Sequence, residues 1–67
     1  METRTIIDTL RGTRRPLTVR QCSDILGLHP QTVYKWSRTG RIPVLRLGSA
    51  LRFDPIVIAQ WVESRSL

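Results

Sequence analysis

Leu17-Thr18-Val19-Arg20-Gln21-Cys22-Ser23-Asp24-Ile25-Leu26-Gly27-Leu28-His29-Pro30-Gln31-Thr32-Val33-Tyr34-Lys35-Trp36 holds the start and stop signals of two short helices. Thr18 followed three residues later by Gln21 is a capping box, in which each side chain satisfies a backbone N–H that the first helical turn leaves orphaned. Val19, Cys22, Ile25 and Leu26 then recur at helical spacing on one face. Gly27 ends this helix. Pro30 suits the first turn of a second one, where its missing N–H costs nothing, and Gly40 suits a left-handed exit.

Two short helices joined by a tight Gly-containing turn form a helix-turn-helix, so the faces of the second helix matter. At about 100° per residue, Val33, Trp36 and Ser37 fall together as its buried side. Gln31, Lys35 and Arg38 fall opposite, with Thr32 and Tyr34 on the flanks. An amide, an ammonium and a guanidinium on one face suit the major groove of double-stranded DNA, because Gln pairs bidentately with adenine and Lys or Arg pair with guanine.

Outward from this pair, Val44–Leu47 and Leu51–Phe53 alternate, with Gly48-Ser49-Ala50 as their turn. The alternation predicts Leu45, Leu47, Leu51 and Phe53 on one side of a hairpin, with Arg46 and Arg52 together on the other, placed to straddle a phosphate or to enter a narrow minor groove. Asp54-Pro55 opens a last helix through about Ser64, with Ile58, Trp61 and Val62 on its core face. On the amino side, Thr5 as a cap and Gly12 as a stop predict a short helix over 5–11 carrying Ile6, Ile7 and Leu10. The basic stretch Thr13-Arg14-Arg15-Pro16 follows as a linker. The fold class is therefore mainly α with a small β-hairpin, a winged helix-turn-helix over 17–64, preceded by an extension over 1–16 and followed by a tail over 65–67.

The chain has 67 residues, enough for one small domain with a modest core. Its formal net charge is +6, and Asp24 is the one acid between Arg11 and Arg52. That field attracts a polyanion, and the basic residues coincide with the helix pair, which adds Arg20 and Arg41 to the candidate DNA contacts. One cysteine and one histidine build neither a zinc site nor a disulfide framework. No cofactor or metal is expected, and Cys22 reads as a small core residue. Trp36 and Trp61 read as core, and Asp8 and Asp54 as helix caps, which leaves no nucleophile and base pair for catalysis. Without an apolar run of membrane-spanning length or a signal-peptide core, the sequence predicts a soluble, cytoplasmic protein. Ile56 and Leu67 lie away from Trp61 on the last helix; with Ile6, Ile7 and Leu10, Ile56 is a candidate protein interface.

The pattern Leu17-Thr18-Val19, Gly27 through Trp36, Gly40-Arg41-Ile42-Pro43, Arg46-Leu47-Gly48, Leu51-Arg52-Phe53 and Trp61-Val62 resembles the excisionase-type winged helix-turn-helix family, related to the DNA-binding part of MerR regulators. The resemblance covers about two-thirds of the chain. It implies that Gln31, Thr32, Tyr34, Lys35 and Arg38 enter the major groove while Arg46 and Arg52 meet the minor groove or backbone. It further implies a phage or prophage protein that binds tandem sites cooperatively, bends DNA and directs a tyrosine integrase toward excision without cutting DNA itself. A small transcription regulator of the same fold is the alternative, and an antitoxin-like interaction module a third. Two departures stand out: Ser49-Ala50 occupy the wing tip where Arg or Lys is usual, and His29 replaces the usual Ser or Thr cap.

Overall fold

The capping box forms as the sequence predicts. Gln21 N donates to Thr18 Oγ1 at 3.1 Å and Thr18 N donates to Gln21 Oε1 at 3.0 Å. In the computed structural model, which describes residues 2–65, this box opens α2 (Val19–Leu26). Gly27 closes it at φ 70°, with Leu28 N donating to Ser23 O at 2.9 Å. The turn leads into α3 (Pro30–Arg38), β1 (Leu45–Leu47), β2 (Ala50–Arg52) and α4 (Pro55–Arg65), and α1 (Glu2–Arg11) precedes them all. α2, α3 and the hairpin thus make a winged helix-turn-helix. Ser66 and Leu67, within the anticipated tail, lie outside the described residues.

The extension departs from expectation. α1 begins at Glu2, not after a cap at Thr5, so Thr5 and Asp8 are exposed mid-helix residues and neither caps anything. A helix this short is marginal alone, and docking supplies what capping does not. Leu10 is fully enclosed, and Ile6 and Ile7 pack against the same core. Leu10 is therefore withdrawn from the anticipated protein interface, because no partner can reach it. The Arg11–Glu63 ion pair at 2.9 Å joins α1 to α4, but both side chains are 46% exposed, and such pairs contribute about 0–1 kcal/mol.

The core draws on every helix. Leu10, Cys22, Val33 and Ile58 come from the four helices, and Ile42 and Phe53 from the segments flanking the hairpin. Burial pushes the Cys22 thiol up to about 12, so it is a packed, protonated group with no nucleophilic character. Asp54 caps α4 through Oδ1, which accepts from Ile56 N at 2.9 Å and Val57 N at 3.4 Å.

The wing differs in register from the sequence reading. The turn has two residues, Gly48 at φ 66° and Ser49, and Ala50 already pairs with Leu47. A two-residue loop with a positive φ at its first position matches the native twist of a hairpin. Shortening the turn by one residue slides the strands by one and turns one strand's side chains over. Leu45 then faces Arg52, and Arg46 faces Leu51. Leu45 and Leu47 share the outer face with Ala50 and Arg52, while Arg46 and Leu51 share the inner face and Leu51 packs on the core. The predicted all-leucine face and all-arginine face do not exist. Phe53 extends the inner side and bridges to Leu17, through Leu17 N to Phe53 O at 2.8 Å and Phe53 N to Leu17 O at 2.9 Å.

Candidate nucleic-acid interface

The face of α3 turned away from the core carries the chemistry. Val33 and Ser37 are buried, and Ser37 Oγ donates to Val33 O at 2.8 Å, so the one polar group on the buried side is satisfied within the helix. Gln31, Lys35 and Arg38 are exposed on the opposite side, as expected, with Tyr34 exposed and Thr32 half-buried at their flanks. Lys35 and Arg38 lie in the last turn, where the negative end of the helix dipole favours cations.

His29 has a structural task. Its Nδ1 accepts from Gln31 N at 3.1 Å, replacing the hydroxyl of a Ser or Thr cap. At the other end, Gly40 at φ 75° lets Arg41 N reach back to Trp36 O at 2.8 Å, and Thr39 Oγ1 donates to Lys35 O at 3.0 Å.

The wing arginines separate. Arg46, on the inner face, donates from Nη2 to Ser37 O at 2.9 Å and fastens the hairpin to the end of α3. Arg52, half-buried on the outer face, donates from Nη1 to Leu51 O at 2.8 Å. The two do not straddle a common phosphate from one side. Each guanidinium carries five N–H donors, so either one keeps donors for an anion. Arg20 is exposed on α2, and Arg41 is exposed just beyond α3.

Sequence reasoning placed both tryptophans in the core, but they are half-buried and form a surface cluster packed on it. Their ring centroids lie 6.1 Å apart, tilted by 59°. Trp61 Nε1 donates to Arg41 O at 3.0 Å, the Arg65 guanidinium sits 4.9 Å from the Trp61 ring centroid, and that of Arg41 sits 6.0 Å from the Trp36 ring centroid. The i, i+4 spacing of Trp61 and Arg65 is the signal that reveals the stack between them. Arg65 was not among the anticipated site residues.

Among the described residues no helix is long and apolar enough to cross a membrane. No curated protein and no solved structure matches the chain. The family model described as a helix-turn-helix domain matches residues 16–66, which takes in α2, α3, the wing and α4. The chain therefore belongs to the helix-turn-helix domain family, and is a DNA-binding domain.

Proposed function

We propose that this protein is an excisionase-type architectural factor: it reads double-stranded DNA with α3, bends it, and directs an integrase toward excision. The observation that carries the reading is the exposed row Gln31, Lys35 and Arg38 on α3, with the wing fastened to the end of the same helix through Arg46 and Ser37 O. A helix and wing held at fixed separation grip two stretches of the duplex at once, and DNA that must satisfy both deforms at the flexible steps between them. The net charge of +6 supplies the sequence-independent part of the affinity. Thr32, Tyr34, Arg20, Arg41 and Arg52 make backbone and flanking contacts in this account. Neighbouring copies on tandem sites extend the footprint, since one small module covers too little DNA for high selectivity.

The test combines two measurements. Target sites selected from a random duplex pool are placed at permuted positions in a fragment, and a bending protein gives mobility that depends on site position. The protein is then supplied to cells holding an integrated element and its tyrosine integrase, where excision should rise above the integrase-alone level. Position-independent mobility together with unchanged excision refutes the reading and leaves transcription control by the same fold.

A further inference from the structure

Beside Arg52, the outer face of the wing exposes two leucines, and the first turn of α4 adds two more exposed aliphatic residues. Leu45 and Leu47 are 42% and 57% exposed, and Ile56 and Val57 in the first turn of α4 are 40% and 39% exposed. Leu45, Pro55 and Ile56 line one cleft of about 380 Å³, and the rest of its wall is Asp54, Arg11 and the linker Thr13–Pro16. That volume lies in the range of about 300–1,000 Å³ that holds a small ligand or a few side chains.

Its charge is one-sided. Arg14 and Arg15 are exposed and have no ion-pair partner among the described residues. Asp54 is the one acid in the lining, and its Oδ1 is held by the amides of Ile56 and Val57. The cationic residues of the wall precede residue 16, where the family match begins, so the cleft joins this chain's own amino-terminal segment to the wing and α4 of the shared fold.

We infer that this cleft docks an acidic segment of another protein through one or two aliphatic or aromatic anchors. The anchors occupy the floor between Leu45 and Ile56, and flanking carboxylates pair with the Arg14 and Arg15 guanidiniums, whose fork geometry suits them. A phosphodiester backbone satisfies the arginines and leaves the aliphatic floor wet. A second copy of this chain brings its own net charge of +6 against the same arginines. Only an occupant both acidic and apolar uses the whole surface. This inference is independent of any role in recombination.

The test pans a displayed library of random dodecapeptides against the full chain and measures a synthetic enriched peptide by fluorescence polarisation. Enriched sequences should place Asp or Glu beside aliphatic or aromatic residues. Ile56→Glu and the double variant Arg14→Ala/Arg15→Ala should each weaken binding about tenfold or more. Because these side chains are on the surface, both variants should keep the parental melting temperature, which is recorded alongside. Added salt should weaken the peptide further. Peptides lacking acidic residues, or equal binding by Ile56→Glu, overturn the inference. If a random-sequence duplex competes for the peptide and Ile56→Glu weakens that duplex tenfold, the surface belongs to DNA. If sedimentation shows a dimer that Ile56→Glu dissolves, it belongs to a second copy. Either result also overturns the inference.

Discussion

Replacing Leu10 by alanine tests whether α1 is part of the folded domain. Leu10 is 0% exposed and sits in the same core as Phe53 and Ile58. Removing its three outer carbons forfeits about 0.8 kcal/mol for each buried carbon, and the cavity left behind raises the usual range to about 2–5 kcal/mol. A chain of 67 residues has a total stability of about 3–10 kcal/mol at the usual 0.05–0.15 kcal/mol per residue. The variant therefore loses between about a fifth and all of its stability, and its midpoint falls by about 8 °C or more at 4–8 °C per kcal/mol. Trp36 and Trp61, half-buried on that core, report the transition by fluorescence in a urea titration. Thr5→Ala is the internal control. As an exposed mid-helix residue it should change stability by no more than about 0.5 kcal/mol, whereas a capping threonine would cost about 1 kcal/mol. A Leu10→Ala protein that melts cooperatively within about 1 kcal/mol of the parent would refute the docking of α1. Saturating DNA should restore part of the lost midpoint, since it binds only the folded state.

Gln31→Ala should narrow discrimination between a selected and a scrambled site by about 1–3 kcal/mol if the amide reads an adenine; equal losses on both duplexes would assign it to the backbone. Arg46→Ala should cost about 1–2 kcal/mol of stability, the low end for a charged donor because the bond to Ser37 O is only part-buried. Arg52→Ala, which loses a bond only to the carbonyl of the neighbouring Leu51, should leave the melting temperature in place and flatten the salt dependence of DNA binding by about 0.9 units of slope. Cys22, pushed by burial from 9.0 to about 12, holds its proton in the folded state after the unfolded state has released its own. Its contribution to stability is then complete below pH 9.0 and is lost as pH rises toward 12, and alkylation of the native protein should proceed only at the rate of unfolding.

What was legible in the sequence was what short-range chemistry decides. Thr18 with Gln21, Gly27, Pro30 and Gly40 each act within one helical turn, and the helix-turn-helix follows from them, including the inward Val33 and outward Lys35. What resisted reading depends on partners distant in sequence. α1 reaches Glu2 because Leu10 finds the core, a contact invisible from the spacing around Thr5. The strands of the wing alternate equally well around a turn of two residues or three, so the pattern alone does not fix which leucines face inward. Pairing of Phe53 with Leu17 and the reach of Arg46 to α3 accompany the register that is found, and neither leaves a local trace.

The same long-range contacts decide how stiffly α3 is presented. The last turn of a helix leaves four carbonyls without intrahelical partners, and here that end is tied in several directions at once. Trp36 O accepts from Arg41 N, and Ser37 O accepts from Arg46 on the wing. Arg41 O, just beyond, accepts the indole N–H of Trp61 on α4. Of these ties the Arg46 bond is the one that joins the wing to α3, while the others close the helix end and hold the segment beyond it to α4. In a module with a loose wing, protein and DNA share the adjustment on binding. With the wing fixed, the strain of mismatch falls on the duplex, whose sequence-dependent stiffness then contributes to site choice at positions no side chain touches. Under the proposed function, bending and selectivity therefore have one physical origin, the fixed separation of α3 and the wing.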